Sequence, residues 1–198
     1  MGARYLAEAL GPAALAAQAN SYGRTYPVAD APEPDALGAD ERAFIAERDS
    51  FYIATVMGSG WPYVQHRGGP KGFLHVLDEH TLGFADLKGN RQLVTTGNIA
   101  DNDRAALILV DYPRRERLKI LARVRVVEAR ADETLADSLA PAPELRGRVE
   151  RSMLLDVVGI DWNCPAYITP RYSADEVESA LGRMQARIRE LEAKLHGR

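Results

Sequence analysis

Four cations lie beside glycines in one short stretch of this chain: Arg67, Lys71, Lys88 and Arg91. Arg67 runs into Gly68 and Gly69, and Lys88 meets Gly89 just ahead of Asn90, Arg91 and Gln92. Glycine lets a backbone approach a ligand closely. A helix that opens at Asn90-Arg91 offers unpaired N–H groups and the positive end of its dipole, a natural seat for phosphate. A guanidinium adds a bidentate grip. The competing reading is a scatter of solvated loop cations, and spacing alone leaves both open.

Other chemistries find less support. No GxGxxG follows a strand, and no GxxxxGK[ST], HExxH or GxSxG occurs. The histidines His66, His75, His80 and His196 lack metal-ligand spacing, and His75 on an apolar strand reads as a satisfied core or edge residue. Cys164 is the one cysteine of 198 residues, so no internal disulfide and no cysteine cluster for zinc can form. It stands before Pro165 with no base beside it, which favours packing over nucleophilic chemistry. A net charge of −3 argues against nucleic acid as a partner. No apolar run approaches the ~20 residues that span a bilayer. The first residues, MGARYLAEAL, lack the basic end and long apolar stretch of a signal peptide, so a cytoplasmic protein is expected.

The elements that position these residues are mostly strands. Phe51–Met57 and Trp61–Arg67 flank the turn Gly58-Ser59-Gly60. Phe73–Leu77 and Thr81–Ala85 flank Asp78-Glu79-His80, Ala105–Asp111 and Leu118–Val127 flank Tyr112–Arg115, and Met153–Ile160 is a last apolar run. Strands this apolar joined by short turns predict an antiparallel sheet closed into a barrel. Trp61 reads as a barrel plug, or else as a stacking partner for a flat ligand. Asn90–Thr96 reads as a short helix, Asp40 as the N-cap of another reaching about Arg48, and Ala131–Arg151 as a polar segment of helical composition.

Residues 1–39 read as an appendage, with a helical patch at Pro12–Gln18 and an extended linker at Pro27–Gly38. Residues 40–172 form the main domain. At the other end, Ser173 and Glu176 make a capping box for a helix over 173–198. Its apolar residues Val177, Leu181, Met184, Ile188, Leu191 and Leu195 alternate four and three apart, a heptad seam. That seam predicts either docking on the chain's own barrel or pairing across a dimer.

The segments Phe51–Val56, Gly60–Pro70 (GWPYVQHRGGP), Leu82–Arg91 (LGFADLKGNR) and Thr96–Arg104 (TGNIADNDR) resemble the pyridoxamine 5′-phosphate oxidase-like flavoproteins. The resemblance runs from about Glu41 to Val127 and continues weakly through Asp161–Pro165 to Pro170-Arg171. It implies a mainly β protein with flanking helices, the antiparallel FMN-binding split β-barrel. It also implies a homodimer with flavin sites shared between chains, FMN (or FAD or another flavin) as cofactor, and oxidoreductase chemistry on a small molecule. By position it implies cofactor contacts from Arg67, Gly68, Lys71, Lys88, Asn90, Arg91 and Gln92, with Trp162 and Arg171 closing a site from the partner chain. The turn Gly68-Gly69-Pro70 is then the expected opening for a donor. The Arg-x-Val-Leu-Leu-Lys-like strand of the vitamin B6 enzymes is replaced by Arg67-Gly-Gly-Pro-Lys71, and their C-terminal arginine clamp is not recognisable. An uncharacterised relative with another substrate is therefore expected, or a flavin- or haem-binding protein without turnover.

Overall fold

The computed structural model describes residues 2–162 and 166–196. Its elements run α1 (Ala3–Ala9), α2 (Pro12–Tyr22), α3 (Ala39–Ala46), β1 (Ser50–Val56), β2 (Pro62–Gly68), β3 (His75–Val76), β4 (Thr81–Leu87), α4 (Val94–Asp101), β5 (Arg104–Asp111), β6 (Glu116–Glu128), α5 (Glu133–Leu139), β7 (Val149–Trp162) and α6 (Ala174–His196). Cys164 and its predicted packing role lie outside the described residues.

The strands form one antiparallel sheet ordered β2-β1-β5-β6-β7-β4-β3. Alternation decides its inner face. Phe51, Ile53 and Thr55 of β1 point inward, and Leu107, Leu109, Leu118, Ile120, Met153 and Leu155 complete the core from β5, β6 and β7. The sheet curls until β1 meets β4, with Phe51 edge-on to Phe84 at 5.4 Å. No backbone ladder joins β2 to β4 in that strand order, so the barrel is split there.

Several elements fall elsewhere than their residues predict. The helix expected at Asn90–Thr96 begins at Val94, and Gly97 lies inside it. Residues 89–93 form a loop in which Arg91 and Leu93 take left-handed backbone angles, φ 63° and 53°. The N-cap of α3 is Gly38, whose N–H donates to the Glu41 carboxylate, and Asp40 sits in the first turn. The strand expected at Phe73–Leu77 shrinks to His75–Val76, because Phe73 and Leu74 plug the core. Trp61 is 72% exposed at the tip of the β1–β2 hairpin and plugs nothing.

The N-terminal segment is clipped to the barrel. β7 runs past the end of its pairing with β4, leaving an open edge beyond Asp156. Open edges template unwanted pairing and are commonly covered. Here Gly2 N–H donates to Ile160 O at 2.8 Å, and Asp35 N–H donates to Val158 O at 3.1 Å. The Asp35 carboxylate accepts from the N–H groups of Arg4, Tyr5 and Ile160. Gly159 is required at this crossing, since a Cβ would come within 2.7 Å of the Tyr5 backbone. Leu37 is buried in the core, so the linker expected over Pro27–Gly38 ends as a structural segment.

A buried ion pair anchors α3 to the β5–β6 turn. Arg48 donates to Asp111 at 2.7 Å, and both side chains are at most 10% exposed. Burial raises the Asp111 carboxyl, but hydrogen bonds from the Arg114 backbone and side chain and the nearby Arg48 outweigh it, so the group titrates below its ordinary 3.8. A depressed carboxyl contributes stability above its unfolded value and loses it as pH falls through the folded one. Stability is thus expected to fall with pH below about 3.8. In Asp111→Asn the melting temperature should be lower at neutral pH and less steep in acid. A parent-like acid slope in that variant would remove Asp111 from the account.

Among the described residues no helix is long and apolar enough to cross a membrane.

Candidate functional site

The inner face of β1 carries Phe51, Ile53 and Thr55, and its continuation on β2 is more polar. Register places Thr55 beside Tyr63, Ile53 beside Gln65 and Phe51 beside Arg67. These β2 side chains line a cleft of about 210 Å³ at the split, walled opposite by Asp86, Arg151 and the loop and first turn over 89–96.

Charge spans the gap where backbone pairing stops. Arg67 Nη1 donates to Asp86 Oδ1 at 2.9 Å, and Arg151 Nε donates to Asp86 Oδ2 at 3.1 Å. Arg151 also donates to Glu150 at 2.8 Å. Burial disfavours the Arg151 cation, but Asp86 and Glu150 more than compensate and raise its pKa further. Arg67 packs over the Phe84 ring at 5.7 Å. Its Nε is buried and has no hydrogen-bond partner among the described residues. Such a donor costs roughly 1–3 kcal/mol while unmet.

The phosphate-type donors assemble around it. α4 starts from Leu93 with no side-chain cap, leaving its first-turn N–H groups at the cleft with Thr95 and Thr96. Asn98 donates to Thr55 at 2.9 Å in the interior and pins α4 to β1. Asn90 shapes the loop by accepting the Gln92 N–H at 3.1 Å. The two arginines are balanced by Asp86 and Glu150, so Arg91 and the helix end leave the cleft positive.

Of the residues expected to bind a cofactor, the structure brings Arg67, Asn90, Arg91 and Gln92 together. Lys88 is exposed just outside, and its N–H donates to Arg148 O at 3.4 Å. Lys71 and Arg171 line a different cleft of about 560 Å³, where Arg171 lies 5.0 Å from the Tyr112 ring. Trp162 lines a third, edge-on to Phe44 at 4.9 Å and donating to Glu41 at 2.6 Å. Within one chain neither Trp162 nor Arg171 faces Arg67. At the Gly68-Gly69-Pro70 turn, Gly68 and Pro70 are exposed and Gly69 is half-buried. A Cβ on Gly69 would sit 2.7 Å from Phe73, so this glycine serves core packing. Gly68 lies against the His66 ring.

Sequence reasoning missed Asp86, Arg151, Thr95 and Thr96. Asp86 carried one weak signal: an acidic residue at an inward position of the apolar strand Leu82–Leu87.

A family model described as pyridoxamine 5′-phosphate oxidase matches residues 37–151. No curated protein matches the chain. Among solved structures, a putative pyridoxamine 5′-phosphate oxidase from Lactobacillus delbrueckii superposes with a TM-score of 0.50 at 21% identity, over 66% of this chain and 97% of its own. HupZ from Group A Streptococcus gives 0.51 at 13% identity, over 70% and 99%. A Clostridium acetobutylicum protein related to general stress protein 26, of the pyridoxine phosphate oxidase family, gives 0.50 at 9%, over 70% and 94%. At these identities the likeness is one of fold.

Proposed function

Because the chain belongs to the pyridoxamine 5′-phosphate oxidase family, we propose that the Arg67 cleft seats the phosphate of FMN and that the protein is a cytoplasmic flavin-dependent oxidoreductase acting on a small molecule. The observation that carries this reading is the buried, unpartnered Nε of Arg67 beside the uncapped first turn of α4. A phosphate offers that donor an acceptor and matches the positive helix end. Arg67 and Arg91 would bind the group, the Thr95 and Thr96 hydroxyls would add donors, and Asp86 would hold Arg67 in place. FMN supplies hydride transfer at its N5 atom when bound. FAD or another phosphate-bearing flavin shares the same recognition.

A cleft of about 210 Å³ is below the ~300–1,000 Å³ usual for a ligand pocket. It holds a phosphate end and leaves a flat ring needing a second wall. A second copy of the chain is the proposed wall. The outer face of β1 and β2 exposes Tyr52, Val56, Trp61 and Val64 together, an apolar patch suited to burial. Lys71, Trp162 and Arg171, turned away from their own Arg67, would act from the partner side.

Pyridoxamine phosphate is not the proposed substrate. β2 stops at Gly68, and the next residues serve the Phe73 plug rather than a further cationic strand.

The test is the absorption spectrum of the purified protein, followed by FMN titration and anaerobic addition of NADH, NADPH or pyridoxamine phosphate. Flavin bands and bleaching by a nicotinamide donor are expected. Flavin bands that no donor bleaches would favour a carrier without turnover, and a haem spectrum would replace FMN as the ligand. Catalytic bleaching by pyridoxamine phosphate would overturn the substrate reading.

A further inference from the structure

α6 leaves the barrel with its whole apolar seam uncovered. Val177, Leu181, Met184, Ile188, Leu191 and Leu195 are between 44% and 76% exposed, and no residue of the helix is buried. Docking on the chain's own barrel is therefore not what the fold does with this face. The helix is well started: Glu176 N–H donates to Ser173 Oγ at 3.2 Å, and Ser173 N–H donates to Glu176 Oε2 at 2.8 Å. It lies outside the span that the family model matches.

We infer that α6 pairs with α6 of a second copy as a parallel two-stranded coiled coil. The charges flanking the seam choose the occupant and the direction. With Leu181, Ile188 and Leu195 at one core position and Val177, Met184 and Leu191 at the other, the flanking positions on one side are Ala180, Arg187 and Lys194. On the other side they are Glu178, Gln185 and Glu192. Parallel pairing sets Arg187 of each copy beside Glu192 of the other, twice by symmetry. Antiparallel pairing sets the basic flank against itself and Glu178 against Glu192. In the central heptad, Ile188 followed by Leu191 is the pair that favours two strands.

A membrane surface fits less well. α6 carries four Arg or Lys and five Asp or Glu, whereas interfacial helices are rich in cations. Twenty-three residues span about 35 Å and would pair only marginally as free peptides. Attachment to a dimerised barrel raises their effective concentration. The two-fold axis of the dimer must then run along α6. This inference rests on the homodimer part of the proposed function and is independent of the flavin.

The experiment is oxidative cross-linking of the full chain in a Cys164→Ser background, with sedimentation of the same samples at micromolar concentration. Leu191→Cys places the same seam position of two parallel helices face to face and should give a covalent dimer. Ala193→Cys, on the outer side, should not. Arg187→Glu should lower the Leu191→Cys yield severalfold, and adding Glu192→Arg should restore it. A dimer by sedimentation without cross-linking at Leu191→Cys would overturn the coiled coil and leave the barrel dimer standing. A monomer would overturn both, and a monomer that binds anionic vesicles would reassign the seam to a lipid surface.

Discussion

Asp86→Ala should lower the unfolding free energy by about 3–5 kcal/mol, the cost of stranding a buried cation. Asp86 and Arg151 are each 9% exposed at the side chain, and Arg67 is 23% exposed. One carboxylate therefore serves two guanidinium groups at the place where the sheet has no ladder. Among the described residues, removing it leaves Arg151 with Glu150 alone and Arg67 with no carboxylate. Asp86→Asn keeps the shape and some hydrogen bonding but not the charge, and should fall between parent and alanine. Urea unfolding followed by circular dichroism measures both. A loss under about 1 kcal/mol, the scale of an exposed ion pair, would mean that the charge bridge does not hold the split together.

Arg67→Ala should weaken FMN binding by about one to two decades. A hydrogen bond to a charged group is worth roughly 1.5–3 kcal/mol, and each 1.4 kcal/mol is tenfold. Arg67 also pairs with Asp86, so a folding defect must be separated from a binding defect. Arg91 is exposed and has no such structural partner among the described residues, so Arg91→Ala should weaken FMN with an unchanged urea midpoint. Lys88→Ala, just outside the cleft, should bind FMN like the parent. Flavin fluorescence quenching reads all three. Unchanged affinity in both arginine variants would remove the phosphate seat, and an equal loss in Lys88→Ala would relocate it.

The strands were legible because alternation and turn residues are local. Phe51, Ile53 and Thr55 alternate with outward neighbours, and Gly58–Gly60 cannot extend the strand, so the first hairpin reads directly from the chain. The capping box at Ser173 was legible for the same reason, as both of its hydrogen bonds close within three residues. The start of α4 was not. Asn90-Arg91 looks like a helix opening, yet the Asn90–Gln92 turn and the left-handed Arg91 and Leu93 delay it to Val94. The Thr55–Asn98 hydrogen bond, forty-three residues apart in sequence, pins the delayed helix to the sheet.

The sequence by itself determined which residue types could meet an anion, that the chain would be an antiparallel barrel, and that its last helix carries a heptad seam. Each of these depends on spacings of two to seven residues, which one chain displays without being folded. Tertiary structure alone decided which cations share a cleft. Arg67, Asn90, Arg91 and Gln92 converge because the sheet curls β2 toward β4, while Lys71 goes with Arg171 and Trp162 with Phe44 and Glu41. Asp86 and Arg151 gained their roles the same way. They are neighbours on the β4–β7 ladder, and they meet Arg67 only because the barrel is split where a shared carboxylate, rather than a backbone ladder, bridges its two edges.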